Sequence, residues 1–242
     1  MGLGQRPNPG YGGTARRILE HARRAFNERG VAAVGIRDIA RELRLSPGNV
    51  SYHFATKEAL VAALIEEAHG ENEALFSRAA GPLDFAGLDV AIRAIMRRDL
   101  ENRWVMRDCV GLLATLPALR PLHETMQRAR EARADGIVAR LVDAGLIEPG
   151  ADRALLREQL LTQVFFWLPA AIVAAPGRDP AERLDVHARA ALALFRADCT
   201  RAGRRALEAV LGSAAGPRAD ERRAPATRRA RPARSSRRPK RR

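Results

Sequence analysis

Between Ser46 and Lys57 the chain gathers side chains suited to hydrogen bonding with bases and phosphates. Pro47, Gly48, Asn49, Ser51 and Tyr52 are small or polar, and His53 and Lys57 follow them closely. An Asn amide pairs with a base edge, and the hydroxyls of Ser51 and Tyr52 reach bases or phosphates. Small residues at a helix N-terminus let the backbone approach a groove floor. Lys57 follows Thr56 at a helix start, where free N–H groups and the positive helix end favour a phosphate and the ammonium adds to that attraction. Two plainer readings stand beside these. His53 also suits a structural role next to Phe54, and Lys57 suits a solvated surface, although Lys57 and Lys240 are the only lysines in an arginine-dominated chain.

Catalytic and metal chemistry find no comparable arrangement. There is no Gly-rich phosphate loop, no nucleophile elbow and no His/Cys cluster at metal spacing. The histidines at 21, 53, 69, 123 and 187 are scattered, and none lies four residues from another. The two cysteines, Cys109 and Cys199, supply neither a disulfide framework nor a metal motif. The expectation is a non-enzymatic chain without cofactor or metal.

The elements that must position the polar set are helical. Ile18, Ala22, Ala25 and Phe26 describe an amphipathic helix with a stop at Gly30. Arg37 to Leu43 places Ile39, Ala40 and Leu43 on one side. Ser46 as N-cap and Pro47 at the first helical position open a second short helix. Two such helices cross closely only where the contact residue is small, which Ala40 supplies. Ile39, Leu43, Leu45 and Val50 then face inward at helix-turn-helix spacing. Thr56 caps a helix from Lys57 to about Ala79, and Gly81-Pro82 breaks the chain.

Residues 14–64 as a whole resemble the TetR/AcrR family of one-component transcriptional repressors. The pattern R-x-I-L-x-x-A-x-x-x-F-x-x-x-G runs from Arg16 to Gly30, R-D-I-A is Arg37 to Ala40, and S-x-G-x-φ-x-x-H-F-x-x-K-x-x-L runs from Ser46 to Leu60. The resemblance implies that Tyr52, His53 and Lys57 hold phosphates, that Pro47, Gly48, Asn49 and Ser51 face the bases, and that Arg37 and Ser46 belong to the same DNA-binding set. Three positions depart from the pattern. Gly35 stands where a Thr or Ser cap is usual. Arg44 replaces the turn glycine and must adopt positive φ at a cost of about 1 kcal/mol. Ser51 occupies a position often held by Tyr, which bears on the operator sequence rather than the docking mode.

Beyond residue 81, Asp84 caps a helix to about Asn102, Trp104 to Thr115 continues helical, and Ala118 to Ala144 reads as a long charged helix. Asp152 caps an apolar helix reaching about residue 175. Asp179-Pro180 opens another, expected to run unbroken to about 211 on apolar positions 184, 188, 191, 195, 199, 202, 206 and 210. The reading is all-α, about nine helices: a lead at 1–13, a DNA-binding unit at 14–80, and an effector-binding and dimerisation unit at 81–212. The resemblance implies a homodimer joined through the last two helices, a palindromic duplex DNA operator and an unidentified small-molecule effector. Candidate pocket residues are Trp104, Met106, Met126, Phe165, Phe166 and Trp167, with Arg107, Cys109 and His123 as polar partners. Aromatic residues at helical spacing serve equally as plain core, and adjacent Phe165, Phe166 and Trp167 cannot all face one way.

Composition agrees with a globular helical chain. Of 242 residues 46% are hydrophobic and 29% charged, with a net charge of +14. No apolar run reaches the length of a membrane span, and Met1 to Pro7 lacks the apolar stretch of a signal peptide; the expected location is cytoplasmic. Residues 213–242 carry 12 Lys/Arg against 2 acids and no large apolar side chain, so this tail is expected to be disordered. It either adds sequence-independent DNA affinity by counterion release or is a solvated extension. On the first reading, deleting 213–242 lowers affinity for random duplex and flattens the slope of log affinity against log salt, with the preferred sequence unchanged. Salt titrations of both forms read this directly.

Overall fold

A computed structural model describes residues 12–77 and 83–213. The expected lead and tail, the 81–82 break and the end of the fourth helix lie outside these bounds. The described chain is helical, and its one β feature is a single antiparallel bridge between Ile147 and Cys199.

Helices α1 (Gly13–Arg29), α2 (Ile36–Leu43), α3 (Pro47–His53) and α4 (Lys57–Ser77) enclose the first of two apolar cores. Helix α1 buries Ala15, Ile18, Leu19, Ala22, Ala25 and Phe26, the three-and-four spacing of one helical face. Gly35 caps α2 without a side chain of its own. Asp38 reaches back instead, its Oδ2 accepting the Gly35 N–H at 3.0 Å. Arg44 closes α2 with φ 57° and ψ 40°, the left-handed geometry that its sequence position requires. Ser46 Oγ accepts the Asn49 N–H at 3.1 Å, and Thr56 Oγ1 accepts the Ala59 N–H at 3.1 Å. Ala40 and Val50 are buried where α2 and α3 cross, with Leu43 and Leu45 half-buried at the rim.

The second core is built from α5 (Phe85–Glu101), α6 (Arg103–Thr115), α7 (Arg120–Asp143), α8 (Arg153–Phe165), α9 (Trp167–Ala174), α10 (Leu184–Ala193) and α11 (Arg201–Ser213). Helix α10 packs along α5, and α7 along α8. Asp84 and Asp152 cap α5 and α8 by accepting from Gly87 and Leu155 at 2.7 and 3.0 Å.

Two expected long helices are interrupted, so the described residues hold eleven α-helices rather than nine. The helix from 152 to 175 breaks at Phe166. Pro169 has no N–H for the Phe165 carbonyl, and the break turns Trp167 inward while Phe166 stays 46% exposed. The stretch from 181 to 211 begins as a 3-10 turn at Pro180–Arg183, becomes α10, tightens into a second 3-10 turn at Leu194–Asp198 and restarts as α11. Contacts with a distant turn cause the restart. Thr200 N–H donates to the Leu146 carbonyl at 3.1 Å, Glu148 N–H to the Asp198 carbonyl at 2.8 Å, and Thr200 Oγ1 accepts from Gly203 N–H at 3.0 Å. The break slips the buried face by one residue, from the expected 202, 206 and 210 to Gly203, Leu207 and Leu211.

Gly203 lies against that turn: a Cβ there would stand 1.8 Å from the Leu146 carbonyl oxygen, whereas one at Gly136 in α7 would meet nothing within 4 Å. Gly203→Ala is expected to cost about 1–3 kcal/mol, since the backbone must shift. Gly136→Ala is expected to gain about 0.5–1 kcal/mol from helix propensity alone. Urea unfolding of the two variants checks the pair.

Candidate functional site

Helix α3 presents a face free of carboxylates. Pro47, Gly48, Asn49, Ser51 and Tyr52 are all exposed, Tyr52 at 86%. Only Val50 of this helix is buried, which pins its inner side to the core. Tyr52 and His53 meet edge to face, with ring centroids 5.2 Å apart. Arg37 is exposed at the start of α2. Ser46 is committed as the cap of α3, so its oxygen holds a backbone N–H already. Lys57 is half-buried, its Nζ 3.4 Å from the Ala32 carbonyl, and burial lowers its pKa.

The acids near this face are engaged in holding it. Glu42 accepts from Arg29 at 2.9 and 3.0 Å and contacts His21 Nε2 at 2.7 Å, so the bond from Arg29, with His21 second, holds its carboxyl low. Asp38 is likewise held low, first by the Gly35 N–H and then by Arg41. Sequence reasoning did not single out this tether between α1 and α2. What it leaves at the surface is donors, hydroxyls and one amide, a set able to hydrogen bond to base edges and phosphates.

A cavity of about 160 Å³ lies between α4, α5, α6, α7 and α8. Of the expected pocket residues, Met106, Cys109, His123, Met126 and Phe165 line it. Trp104, Arg107, Phe166 and Trp167 do not, which corrects four assignments. Trp104 packs on Phe26 at 5.4 Å between centroids and belongs to the first core. The Arg107 guanidinium donates to the carbonyls of Phe26 and Asn27 at 3.0 and 3.3 Å, at the end of α1. Phe166 is turned outward by the break beside it. Trp167 is buried on the other side of Asp99, donating its Nε1–H to Asp99 Oδ2 at 2.8 Å.

The cavity also holds polar residues that were not foreseen: His69, Asn72, Arg98, Asp99, Asn102, Arg130 and Arg133. A signal for two of them exists. Arg130 sits on the buried stripe Met126, Ala134, Ile137, Leu141 of α7, and Asp99 extends the stripe Leu88, Ile92, Met96 of α5. A charge on an apolar stripe marks a charge turned toward the interior. Burial pushes the Asp99 carboxyl up to about 7 against the lowering effects of Trp167 and Arg130. Burial, with Arg130 and Arg133 adding to it, pushes His69 down to about 4.

These two groups act on stability in opposite senses. The raised Asp99 contributes stability that is full below its ordinary value of 3.8 and is lost as pH rises through 7. The lowered His69 contributes stability present above its ordinary 6.5 and lost as pH falls through 4. Relative to the parent, Asp99→Asn should gain stability as pH rises from 4 to 7, and His69→Gln should lose it over the same range. Urea unfolding of the three proteins across that range tests the signs.

Comparison with known proteins follows the same division. Residues 18–64 match the family described as bacterial regulatory proteins, tetR family. Over 52 residues the chain is 40% identical to the HTH-type transcriptional regulator UidR of Escherichia coli (strain K12), covering 22% of this chain and 26% of that one. Over 124 residues it is 32% identical to the HTH-type transcriptional repressor Rv3405c of Mycobacterium tuberculosis (strain ATCC 25618 / H37Rv), covering 50% of this chain and 66% of that one. The chain thus spans about a quarter of the first relative and just under two thirds of the second. The crystal structure of a TetR-family transcriptional regulator from Marinobacter aquaeolei VT8 superposes with a TM-score of 0.74 at 22% identity, over 84% of this chain and 99% of that one, a likeness of fold.

Proposed function

From a chain whose residues 18–64 match the tetR family of bacterial regulatory proteins, we infer a transcriptional regulator of that family that binds duplex DNA through α3. We further infer that it acts as a repressor, docks as a homodimer on a palindromic operator and is released by a small-molecule effector. The observation that carries this reading is the outward face of α3: small residues at its start, Asn49, Ser51 and Tyr52 unburied, and no acid among them.

In this mechanism Val50 sets the depth of α3 against the core, so that Asn49 and Ser51 meet base edges in the major groove. Tyr52, His53, Lys57 and Arg37 sit where phosphates would run. Lys57 gives up little by leaving the Ala32 carbonyl, a long contact at 3.4 Å. Two copies related by a two-fold axis would read an inverted repeat.

Helix α4 connects reading to sensing. It begins at Lys57 beside α3 and carries Ile65, Ala68, His69 and Asn72 into the cavity. A ligand wedged against that segment favours a conformer with α4 tilted and the paired α3 helices out of register with the grooves, a population shift set by differential affinity. Helix α6 lines the same cavity through Met106 and Cys109 and grips α1 through Arg107, a second route.

Selection from random duplex DNA with the full chain is expected to return an inverted repeat. Asn49→Ala should relax preference at one position per half-site by about 1–3 kcal/mol while leaving the others intact. Recovery of no motif, with affinity controlled by salt alone, would point instead to a non-specific architectural DNA-binding protein.

A further inference from the structure

The cavity between α4 and α8 is apolar over most of its wall, yet it contains a guanidinium with a buried N–H group that nothing accepts. Arg130 projects from α7 with its Cζ 4.6 Å from the centre of the Phe165 ring. Its Nη1 is buried and has no hydrogen-bond partner. Among the described residues the only carboxylate lining the cavity is Asp99, whose Oδ2 already accepts the Trp167 indole N–H. Arg98, also in the lining, is paired outward with Glu71 at 2.8 Å. His69 and His123 both have lowered pKa values, with burial the larger cause and the positive field of Arg130 the next. Desolvating a guanidinium is costly when its N–H groups go unmet, and an incoming anion removes that cost.

We propose that this cavity is built for a small organic monocarboxylate, its carboxylate on Arg130 and its apolar body among Met106, Leu112, Met126, Leu160 and Phe165. The proposal rests on the effector reading above and names the chemical class of that effector. An Arg fork takes a carboxylate in its own plane, a geometry a neutral amide cannot copy with equal strength. The volume of about 160 Å³ is close to that of an apolar cavity that holds one benzene, which suits a single-ring or short branched acid. Asn102 donates its Nδ2–H to the Arg98 carbonyl at 3.3 Å, which leaves its buried Oδ1 as an acceptor without a partner. That oxygen suits a hydroxyl on the ligand body.

Calorimetric titration of the full chain with benzoate and phenylacetate, against benzamide and phenylacetamide, separates charge from shape. The acids are expected to bind at least about tenfold more tightly than their amides. Arg130→Gln should remove that preference, and Arg130→Lys should restore part of it. Should Arg130→Gln unfold, Met126→Trp fills the cavity while keeping the guanidinium and is expected to abolish acid binding. Amides binding as tightly as acids, acid affinity unchanged in Arg130→Gln or in Met126→Trp, or no acid binding at millimolar concentration would each overturn the proposal. Operator binding distinguishes the two readings. Acids that bind through Arg130 without altering DNA affinity uphold the ligand class and overturn effector release. Release by a neutral compound alone upholds effector release and overturns the ligand class.

Discussion

Where α1 ends, four carbonyls are left without helical partners, and how they are met ties the two cores together. Gly30 N–H takes the Phe26 carbonyl at 2.9 Å, and the Arg107 guanidinium reaches across from α6 to the carbonyls of Phe26 and Asn27. A cation at the negative end of a helix is favourable in its own right. Gly30 permits the approach because its φ of 82° suits no side chain well and a Cβ would stand 3.3 Å from Arg107 Nη2. Asn27 completes the joint from the other side, donating to the Glu101 carbonyl at 2.8 Å and accepting the Trp104 N–H at 3.1 Å. The end of α1 therefore caps the beginning of α6, and Trp104 lies over Phe26 beside it.

That joint constrains everything downstream of it. Helix α6 cannot move relative to α1 without breaking polar contacts that are partly shielded from water, so α6 forms one wall of the cavity at a set distance from the first core. Val105 packs against both cores at this point. Helix α4 has fewer such ties at its far end; Glu71 meets Arg98, and Arg23 meets Glu67. One wall of the cavity is thus anchored by bonds to the end of α1, and the other is held by two part-buried ion pairs.

Charge is distributed with the same economy. In the first core the acids Asp38 and Glu42 are consumed by backbone, arginine and histidine partners, and the α3 face is left with donors and hydroxyls. In the second, Asp99 is drawn toward neutrality by burial and held by Trp167, which leaves Arg130 in excess. The first of these surfaces faces solvent, and the second faces the cavity.

The helix-turn-helix was legible residue by residue because its determinants are local. Ser46 and Thr56 accept hydrogen bonds from N–H groups three residues on, Pro47 presets its own φ, and Arg44 had to adopt the left-handed turn that two helices at that spacing demand. Such interactions are complete within a few residues, so the sequence by itself determined where α1 to α4 begin and which side of α3 faces out. Tertiary structure decided the rest. The break before α11 depends on the carbonyl of Leu146, more than fifty residues away from Thr200, and no periodicity along the chain encodes that partner. The inward placement of Arg130 and Asp99 left a trace, as charges on apolar stripes, but which cavity they enter was settled only when α4, α5, α6, α7 and α8 met. The four misplaced pocket residues share that cause: an aromatic ring or an arginine on a helix contacts whatever the neighbouring helix presents, and only packing selects it.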